Sequence, residues 1–178
     1  MLLQDDRIRL RALEPEDAEA MYRWENDTTL WRLGDTTRPF SQAAIREFIA
    51  DASLDLYAAR QMRLMIDLRA TGETIGCADL FDFDPLHRRA GIGMLIYERK
   101  MRRQGFATAA LQLLAEYAFG HLEMRQLWAD IPLSNEASLR LFARAGFEDS
   151  GVKRAWIRAA EGTGYEDVRF VQLLRPER

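Results

Sequence analysis

Hydrophobic and polar residues follow two different periods along this chain, one typical of strands and one typical of helices. Residues 8–13 alternate apolar and basic side chains, which is the pattern of a half-exposed strand. Between residues 108 and 119 the apolar side chains recur at helical spacing and share one face. Over the whole chain the pattern predicts strands at 8–13, 63–68, 74–83, 90–97, 127–131, 147–157 and 165–174. It predicts helices at 15–25, 42–51, 108–119 and 136–144.

Polar residues that commonly cap helices precede two of the predicted helices. Ser41 is expected to cap the second helix, and either Ser134 or Asn135 is expected to cap the last one. Strands and helices are mixed along the chain, and we find no internal repeat, linker or low-complexity tract. We therefore expect a single α/β domain over residues 1–178.

Composition and charge narrow the classes of partner. Hydrophobic residues make up 48% of the chain and charged residues 30%, which is typical of a protein with a packed core. The net charge of −3 disfavours nucleic acid as a partner, because binding to phosphate backbones usually needs a basic surface. The one cysteine, Cys77, excludes an intrachain disulfide and favours a reducing compartment. With no signal-peptide pattern and no long uncharged apolar run, we expect a cytoplasmic protein without a membrane partner.

The segment between the fourth predicted strand and the third predicted helix carries the clearest chemical signal. It reads Arg102-Arg103-Gln104-Gly105-Phe106-Ala107, and we call residues 102–107 the basic loop. The N–H groups that open a helix have no partners inside it, and the helix dipole is positive there, so this end attracts anions such as a pyrophosphate. A glycine lets the backbone approach such a ligand closely. The glycine spacing of Walker and dinucleotide-binding loops is absent, so those two phosphate-binding motifs are disfavoured. The alternative to a pyrophosphate site is a basic turn that only caps a helix.

The basic loop resembles the Arg/Gln-x-x-Gly-x-Gly/Ala signature of the GNAT superfamily of N-acetyltransferases. A second motif, from Asn135 to Phe147, is similar to that superfamily's Asn-x-x-(Ala/Ser)…Gly-Phe helix. Residues 8–17 and 164–167 resemble the subgroup that contains ribosomal-protein and spermidine N-acetyltransferases. The resemblance implies a GNAT fold of the α/β (α+β) class. In that fold a mixed, mostly antiparallel sheet is splayed at the cofactor site and carries helices on both faces.

The same resemblance implies acetyl-coenzyme A (acetyl-CoA) as co-substrate. Its pyrophosphate would lie at the basic loop, and its pantetheine arm would pair with the fourth strand inside the splayed gap. The backbone N–H of Leu95 is the nearest candidate for stabilising the oxyanion. Asn135 matches a position that contacts the coenzyme arm, and an ordinary capping role is compatible with that contact. The expected cofactor-binding residues are Met94, Leu95, Ile96, Arg102, Arg103, Gln104, Gly105, Phe106, Ala107, Thr108, Asn135 and Phe142.

The residues that would handle protons depart from the family pattern at two positions. A tyrosine of many relatives is Phe142 here, and a glutamate of the similar polyamine acetyltransferases is Gly91. Ser138 lies one helical turn before Phe142 on the same helix face. Its Asn-x-x-Ser spacing is similar to that of ribosomal-protein acetyltransferases, and this resemblance implies that Ser138 is the acid. The alternative is a bond from Ser138 to a carbonyl of its own helix. Asp82 is the expected base, acting directly or through water. Its alternative is a solvated charge at the end of a strand.

Two further residues are expected to contact the acceptor together with Asp82. Glu25 would hold a cationic group, and Trp24 would form a wall of the pocket. The alternatives are a solvated charge for Glu25 and core packing for Trp24. Acidic residues within 24–35 and 79–84 favour a small cationic amine, polyamine-like, over a protein N-terminus.

A metal site and a function without catalysis are the remaining alternatives, and few residues bear on either. His87 and His121 fall on elements expected to lie far apart, so no metal site is expected. A protein that binds or senses acyl-CoA without turnover is the alternative to an enzyme, because Phe142 and Gly91 are apolar. The resemblance is compatible with a homo-oligomer.

Overall fold

The computed structural model describes residues 3–31, 36–159 and 163–176, so Asp35 of the predicted acidic segment lies outside the described residues. Short 3-10 turns lie at Pro15–Asp17 and Arg99–Met101. The helices are α1 (Ala18–Glu25), α2 (Gln42–Asp51), α3 (Leu56–Ala59), α4 (Phe106–Gly120) and α5 (Glu136–Arg144). The strands are β1 (Ile8–Arg11), β2 (Met62–Leu68), β3 (Thr74–Asp84), β4 (Arg89–Ile96), β5 (Gln126–Pro132), β6 (Glu148–Arg158) and β7 (Tyr165–Leu174).

The strands form a 7-stranded sheet in the order β1-β2-β3-β4-β5-β7-β6. Every neighbouring pair is antiparallel except β4 and β5, which run parallel. The parallel pair follows from the connection, because the chain crosses back through α4 between these two strands. The mixed, mostly antiparallel sheet predicted from the sequence is confirmed.

Helices cover both faces of the sheet, as predicted. On one face α4 packs the apolar stripe that includes Leu111 and Leu114 against a core of aliphatic strand residues, and α5 joins it through Phe142. On the opposite face α1 and α2 pack against Met65 and Cys77. We call this second face, which carries the expected acceptor residue Trp24, the acceptor face. No helix in the described ranges is long and apolar enough to span a bilayer.

Local end signals explain where most helices begin. The Ser41 hydroxyl accepts from the Ala44 N–H at 3.0 Å, as predicted for the second helix. Of the two candidates for the last helix, Asn135 is the cap. Helix α3 was not predicted, because four residues are too few to show helical spacing. Its signal was the N-cap Asp55, whose carboxylate accepts from two backbone N–H groups.

Strands β4 and β5 diverge along part of their length. These strands pair only at Arg89–Gln126, Ala90–Leu127 and Gly91–Trp128. Beyond those pairs, β4 continues along β3 as far as Ile96, and β5 continues along β7 as far as Pro132. We call the space between the two diverging halves the gap. The splayed sheet expected from the resemblance is therefore present.

Candidate active site

A cavity of about 840 Å³ passes through the gap and opens onto the acceptor face. Its walls come from strands β2 to β5, one face of α5, and the helices α1 and α2. The predicted residues that line it are Trp24, Glu25, Asp82, Met94, Leu95, Asn135, Ser138 and Phe142. Residues predicted to bind the cofactor arm and residues predicted to bind the acceptor thus meet in one space.

The basic loop leaves the first turn of α4 without a side-chain cap. Gly105 is the N-cap residue, with φ of +85°, and Arg103 is also left-handed at +63°. The first N–H groups of the helix have no helical acceptors. They come from Phe106, Ala107 and Thr108, all predicted cofactor contacts.

The side chains of the basic loop bind the protein's own backbone. Arg102 donates from Nε to the Ile96 carbonyl at 2.8 Å, and Gln104 donates to the Lys100 carbonyl at 2.7 Å. These bonds tie the loop to the end of β4 and to the preceding turn. Residues 102–108 do not line the cavity itself. At the start of α4 the groups available to an anion are the backbone N–H groups, with guanidinium charge close to them.

Arg7 also reaches the basic loop, and the sequence analysis did not identify it. Its Nη1 donates to the Gln104 carbonyl at 3.1 Å, and its guanidinium lies 5.6 Å from the centre of the Phe106 ring. A Cβ placed on Gly105 would lie 3.3 Å from Arg7 Nη1. Arg7 precedes the loop by nearly a hundred residues, so no local pattern could have indicated this contact.

The strand register decides which amides of β4 face the gap. The Tyr97 N–H donates to the Ile75 carbonyl of β3, and the pairing continues regularly through Cys77–Leu95. Because successive N–H groups of a strand point to opposite sides, the Leu95 N–H points to β3 as well. The amides of Met94 and Ile96 point into the gap. The oxyanion role expected of Leu95 therefore does not fit this register, and Met94 has the available donor.

The cap and one face of α5 present three residues to the cavity. Asn135 caps the helix, its Oδ1 accepting from the Ser138 N–H at 3.1 Å. One turn later Phe142 is buried edge-on against Phe147, with ring centres 4.9 Å apart. The Ser138 hydroxyl makes no hydrogen bond to any other residue of the described ranges. Its alternative role, a bond within its own helix, is thus not seen.

Two of the four carboxylates in the cavity share one arginine. Arg63 binds Asp79 with two nitrogens, at 2.8 and 3.1 Å, and Glu25 with a third. Burial alone would lower the pKa of Arg63, but the surrounding negative groups, Asp79 and Glu25 among them, outweigh burial and raise it. Arg63 is therefore a permanent cation, and it compensates part of the charge that Glu25 was expected to offer a substrate. Sequence analysis missed Arg63, which lies far from both partners along the chain.

Asp82 lies on a bulge of β3 at the edge of the cavity. The register shifts between Phe81 and Asp84, and Asp82 has φ of +48°. Its exposed carboxylate forms no ion pair within the described residues. Asp84, two residues later, accepts from the His87 N–H and pairs with Arg89 at 3.2 Å. Of these two acids, only Asp82 is left to act on a ligand.

Aromatic packing fixes the wall beside Glu25. Trp24 stacks on Tyr97 with ring centres 4.2 Å apart and an angle of 6° between planes, so its ring is packed on one face. Burial, with the negative groups nearby, raises the pKa of Tyr97, so this phenol stays protonated. Burial also raises the pKa of the Cys77 thiol to about 12. Cys77 is therefore an inert core residue, as its position in a strand indicated.

A second depression of about 330 Å³ adjoins the cavity on the acceptor face. Asp82 and Trp128 line both spaces. The depression also contains Lys153, whose Nζ lies 2.6 Å from Oδ2 of the cavity residue Asp130. The sequence analysis identified neither Lys153 nor Asp130. Among the described residues, no group of three or more metal-ligating side chains comes together.

Comparison of the sequence and the structure with known proteins identifies the family of this chain. The profile of the Acetyltransferase (GNAT) domain matches residues 7–148. The chain is 31% identical to the uncharacterized N-acetyltransferase YoaA of Bacillus subtilis (strain 168), over 98% of this chain and 97% of that protein. YdaF of the same strain, provisionally named a ribosomal N-acetyltransferase, is 30% identical over 97% of this chain and 94% of its own.

Two spermidine N-acetyltransferases are more distant. The spermidine N(1)-acetyltransferase of Escherichia coli (strain K12) is 24% identical over 81% of this chain and 74% of its own length. The crystal structure of the Vibrio cholerae spermidine N-acetyltransferase in complex with CoA and spermine superposes with a TM-score of 0.81, at 19% identity and over 96% of both chains. The two structures therefore share one fold. This chain belongs to the GNAT family and is an N-acetyltransferase.

Proposed function

We propose that the protein transfers an acetyl group from acetyl-CoA directly to a primary amine, and that this amine is a small, cationic, polyamine-like molecule. The charge of the cavity wall is the observation that supports a cationic acceptor. Four carboxylates line the cavity, from Glu25, Asp79, Asp82 and Asp130, against the two guanidinium groups of Arg38 and Arg63. Even with Lys153 paired to Asp130, the wall keeps a negative charge, which favours a cation in a partly enclosed space.

The donor is held along the gap in this proposal. The N–H groups that open α4 bind the pyrophosphate, with Arg102, Arg103 and Arg7 supplying positive charge nearby. The pantetheine arm pairs with the backbone of β4 at Met94 and Ile96, and the Asn135 and Phe142 side chains contact it from α5. The thioester then lies where the cavity opens onto the acceptor face.

Three groups share the chemistry. Asp82 takes the proton of the incoming ammonium, directly or through water, and the neutral nitrogen attacks the thioester carbon. The Met94 N–H stabilises the oxyanion and the nitrogen loses its second proton to solvent. The C–S bond breaks as Ser138 or water protonates the thiolate. A thiol with a pKa of about 8.5 is a good leaving group, so the loss of the usual tyrosine at Phe142 is tolerable. Glu25 and Trp24 hold the rest of the cation.

A protein N-terminus is the second candidate acceptor, because YdaF is named for ribosomal acetylation and is 30% identical to this chain. An assay of thiol release distinguishes the two acceptor classes when it is run with a panel of diamines, polyamines, aminoglycosides and short peptides. We expect turnover with the small cationic amines. Turnover of peptides alone would refute the small-amine acceptor. Tight coenzyme binding without any turnover would favour a binding or sensing protein.

Asp82→Asn gives a second test of the proposal. We expect a loss of kcat/KM of about 10²-fold, the lower end for a general base. The loss should shrink for a fluorinated alkylamine that is already neutral at the assay pH, because no ammonium proton then needs removal. Asp149→Asn is the matched control, since Asp149 pairs with Arg169 outside both spaces. An equal loss for protonated and neutral amines would contradict the role of Asp82.

A further inference from the structure

The chain carries only two lysines, although it has 25 basic residues, and one of the two lies beside the candidate active site. Lys153 projects from β6 onto the acceptor face, where it lines the second depression. The other, Lys100, belongs to the 3-10 turn before the basic loop and pairs with Glu73 at 3.0 Å. A protein that handles acetyl-CoA thus has two side-chain amines, in very different surroundings.

The surroundings of Lys153 are those of a bound ammonium substrate. Its Nζ lies 2.6 Å from Asp130 Oδ2 and within 5.2 to 5.9 Å of the ring centres of Trp128, Trp156 and Phe170. A carboxylate and several aromatic faces are the groups that recognise alkylammonium ions. The lysine therefore occupies a site built for an amine, and 33% of its side chain remains exposed.

This amine pairs with a residue of the cavity in which we place the thioester. Trp128, one of the three rings, forms the last β4–β5 pair, so it marks the point where the gap opens. Asp130 lies two residues further along β5 and lines the main cavity. The four-carbon side chain of lysine is flexible, and in the proposal a change of rotamer moves Nζ from Asp130 toward the gap.

We infer that Lys153 is an internal acceptor of this enzyme, acetylated by the acetyl-CoA bound to the same chain. The inference rests on the proposed donor site but not on the proposed acceptor. Asp130 takes a proton from the Lys153 ammonium, and the neutral Nζ attacks the thioester carbon. A C–N bond forms, the C–S bond breaks, the nitrogen loses its second proton to solvent, and coenzyme A leaves as the thiol. The product carries no charge at residue 153, so Asp130 loses its ion-pair partner.

Acetylation would also change the acceptor face. A neutral amide no longer compensates Asp130, so the cavity becomes more negative at the wall where we place the acceptor. The ring cluster loses its own cation as well. The acetylated enzyme should therefore bind a cationic acceptor more tightly than the unmodified enzyme, seen as a lower KM at a similar kcat.

Mass spectrometry of the protein incubated with acetyl-CoA and no amine tests the inference, with Lys100 as an internal control. Lys100 is more exposed, 64% against 33%, which favours its reaction in free solution. Its hydrogen bond with Glu73 raises its pKa and acts in the opposite direction, so the ratio of the two rates is compared with the ratio in the urea-unfolded protein. We expect one acetyl group per chain at Lys153, formed at least about tenfold faster than at Lys100, because a positioned amine gains effective concentration. The rate should not depend on protein concentration. Equal rates at the two lysines would overturn the inference.

Blocking the coenzyme site separates templated from chemical acetylation. Excess free coenzyme A should slow modification of Lys153 and leave that of Lys100 unchanged. Lys153→Arg should remove the fast phase, and Asp130→Asn should slow it. Transfer from the wild-type enzyme to Lys153 of a Gly105→Val chain would contradict transfer within one chain. If amines are acetylated while Lys153 is not, this inference fails and the proposed function stands. If Lys153 is acetylated while no small amine is, the proposed acceptor class fails and this inference stands.

Discussion

The contact between Phe81 and Gly91 explains why this chain has no side chain at position 91, and substitution there gives a sharp prediction. A Cβ on Gly91 would lie 2.3, 2.6 and 2.7 Å from three carbons of the Phe81 ring. Carbon atoms in contact are normally about 3.5–4.0 Å apart, so the ring must move by about 1.2 Å to admit even alanine. The Trp128 ring, 5.4 Å away and edge-on, restricts that movement. We expect Gly91→Ala to lower the free energy of unfolding by about 1–3 kcal/mol, the usual cost of overpacking.

A double-mutant cycle isolates that clash. In a Phe81→Ala background the space over residue 91 is open, so Gly91→Ala should be neutral or stabilising by about 0.5 kcal/mol through the lost flexibility of the unfolded chain. The two substitutions should therefore show a favourable coupling of about 2 kcal/mol. Urea unfolding of the four proteins, followed by tryptophan fluorescence, measures it.

Gly93→Ala is the matched control, because a Cβ on Gly93 would lie 3.6 Å from Phe81, an ordinary contact. The reasoning is refuted if Gly91→Ala costs no more than Gly93→Ala, or if the two substitutions of the cycle are additive. A confirmed clash would also explain the departure from the similar polyamine acetyltransferases, since a glutamate at position 91 needs the space that Phe81 fills. The acidic group for the acceptor must then come from elsewhere on this face.

Three further predictions follow from individual side chains. Ser138→Ala should lower kcat by about 10²-fold and leave the Kd for acetyl-CoA and the Tm unchanged; an unaltered rate and pH profile would remove its role as acid. Cys77, buried and with its pKa raised by burial to about 12, should resist thiol reagents at pH 8 until the protein is unfolded; rapid labelling of the native protein would contradict its placement. Burial opposes ionisation of Asp67, but hydrogen bonds from two arginines and a threonine outweigh burial and lower its pKa. Its stabilising contribution is therefore present above the unfolded value of about 3.9 and is lost as the pH falls through the lowered pKa. Asp67→Asn should lower the free energy of unfolding by about 3 kcal/mol at pH 7. This difference should shrink toward pH 3, and urea titrations over that range would show a constant difference if the reasoning were wrong.

Features that depend on short stretches of sequence were predictable. The basic loop was identified from six residues because the strand, the glycine and the helix that define it are consecutive. A cap at Ser134 or Asn135 and the helix after it were likewise indicated by local spacing, and the structure selects Asn135. Even the splayed gap followed from two local motifs, through the resemblance they carry.

Features that depend on register or on distant pairs were not predictable. Whether Leu95 or Met94 presents its amide to the gap is decided by the pairing of β4 with β3, and a shift of one residue would exchange them. Arg63 meets Glu25 across 38 residues, and Lys153 meets Asp130 across 23. Such pairs have no signature in a single sequence, so the charge balance of the cavity emerged only from the fold.

The central claim is that the N–H groups opening α4 hold the pyrophosphate of acetyl-CoA, and calorimetric titration tests it most directly. The wild-type protein should bind acetyl-CoA at a single site. Gly105→Val forces a branched residue into φ of +85° beside Arg7 and so should turn two N–H groups away from the ligand. Hydrogen bonds to charged groups contribute about 1.5–3 kcal/mol each, so the affinity should fall by at least about 10²-fold. A folded wild-type protein that binds no acetyl-CoA, or a Gly105→Val protein that binds it equally well, would contradict the account.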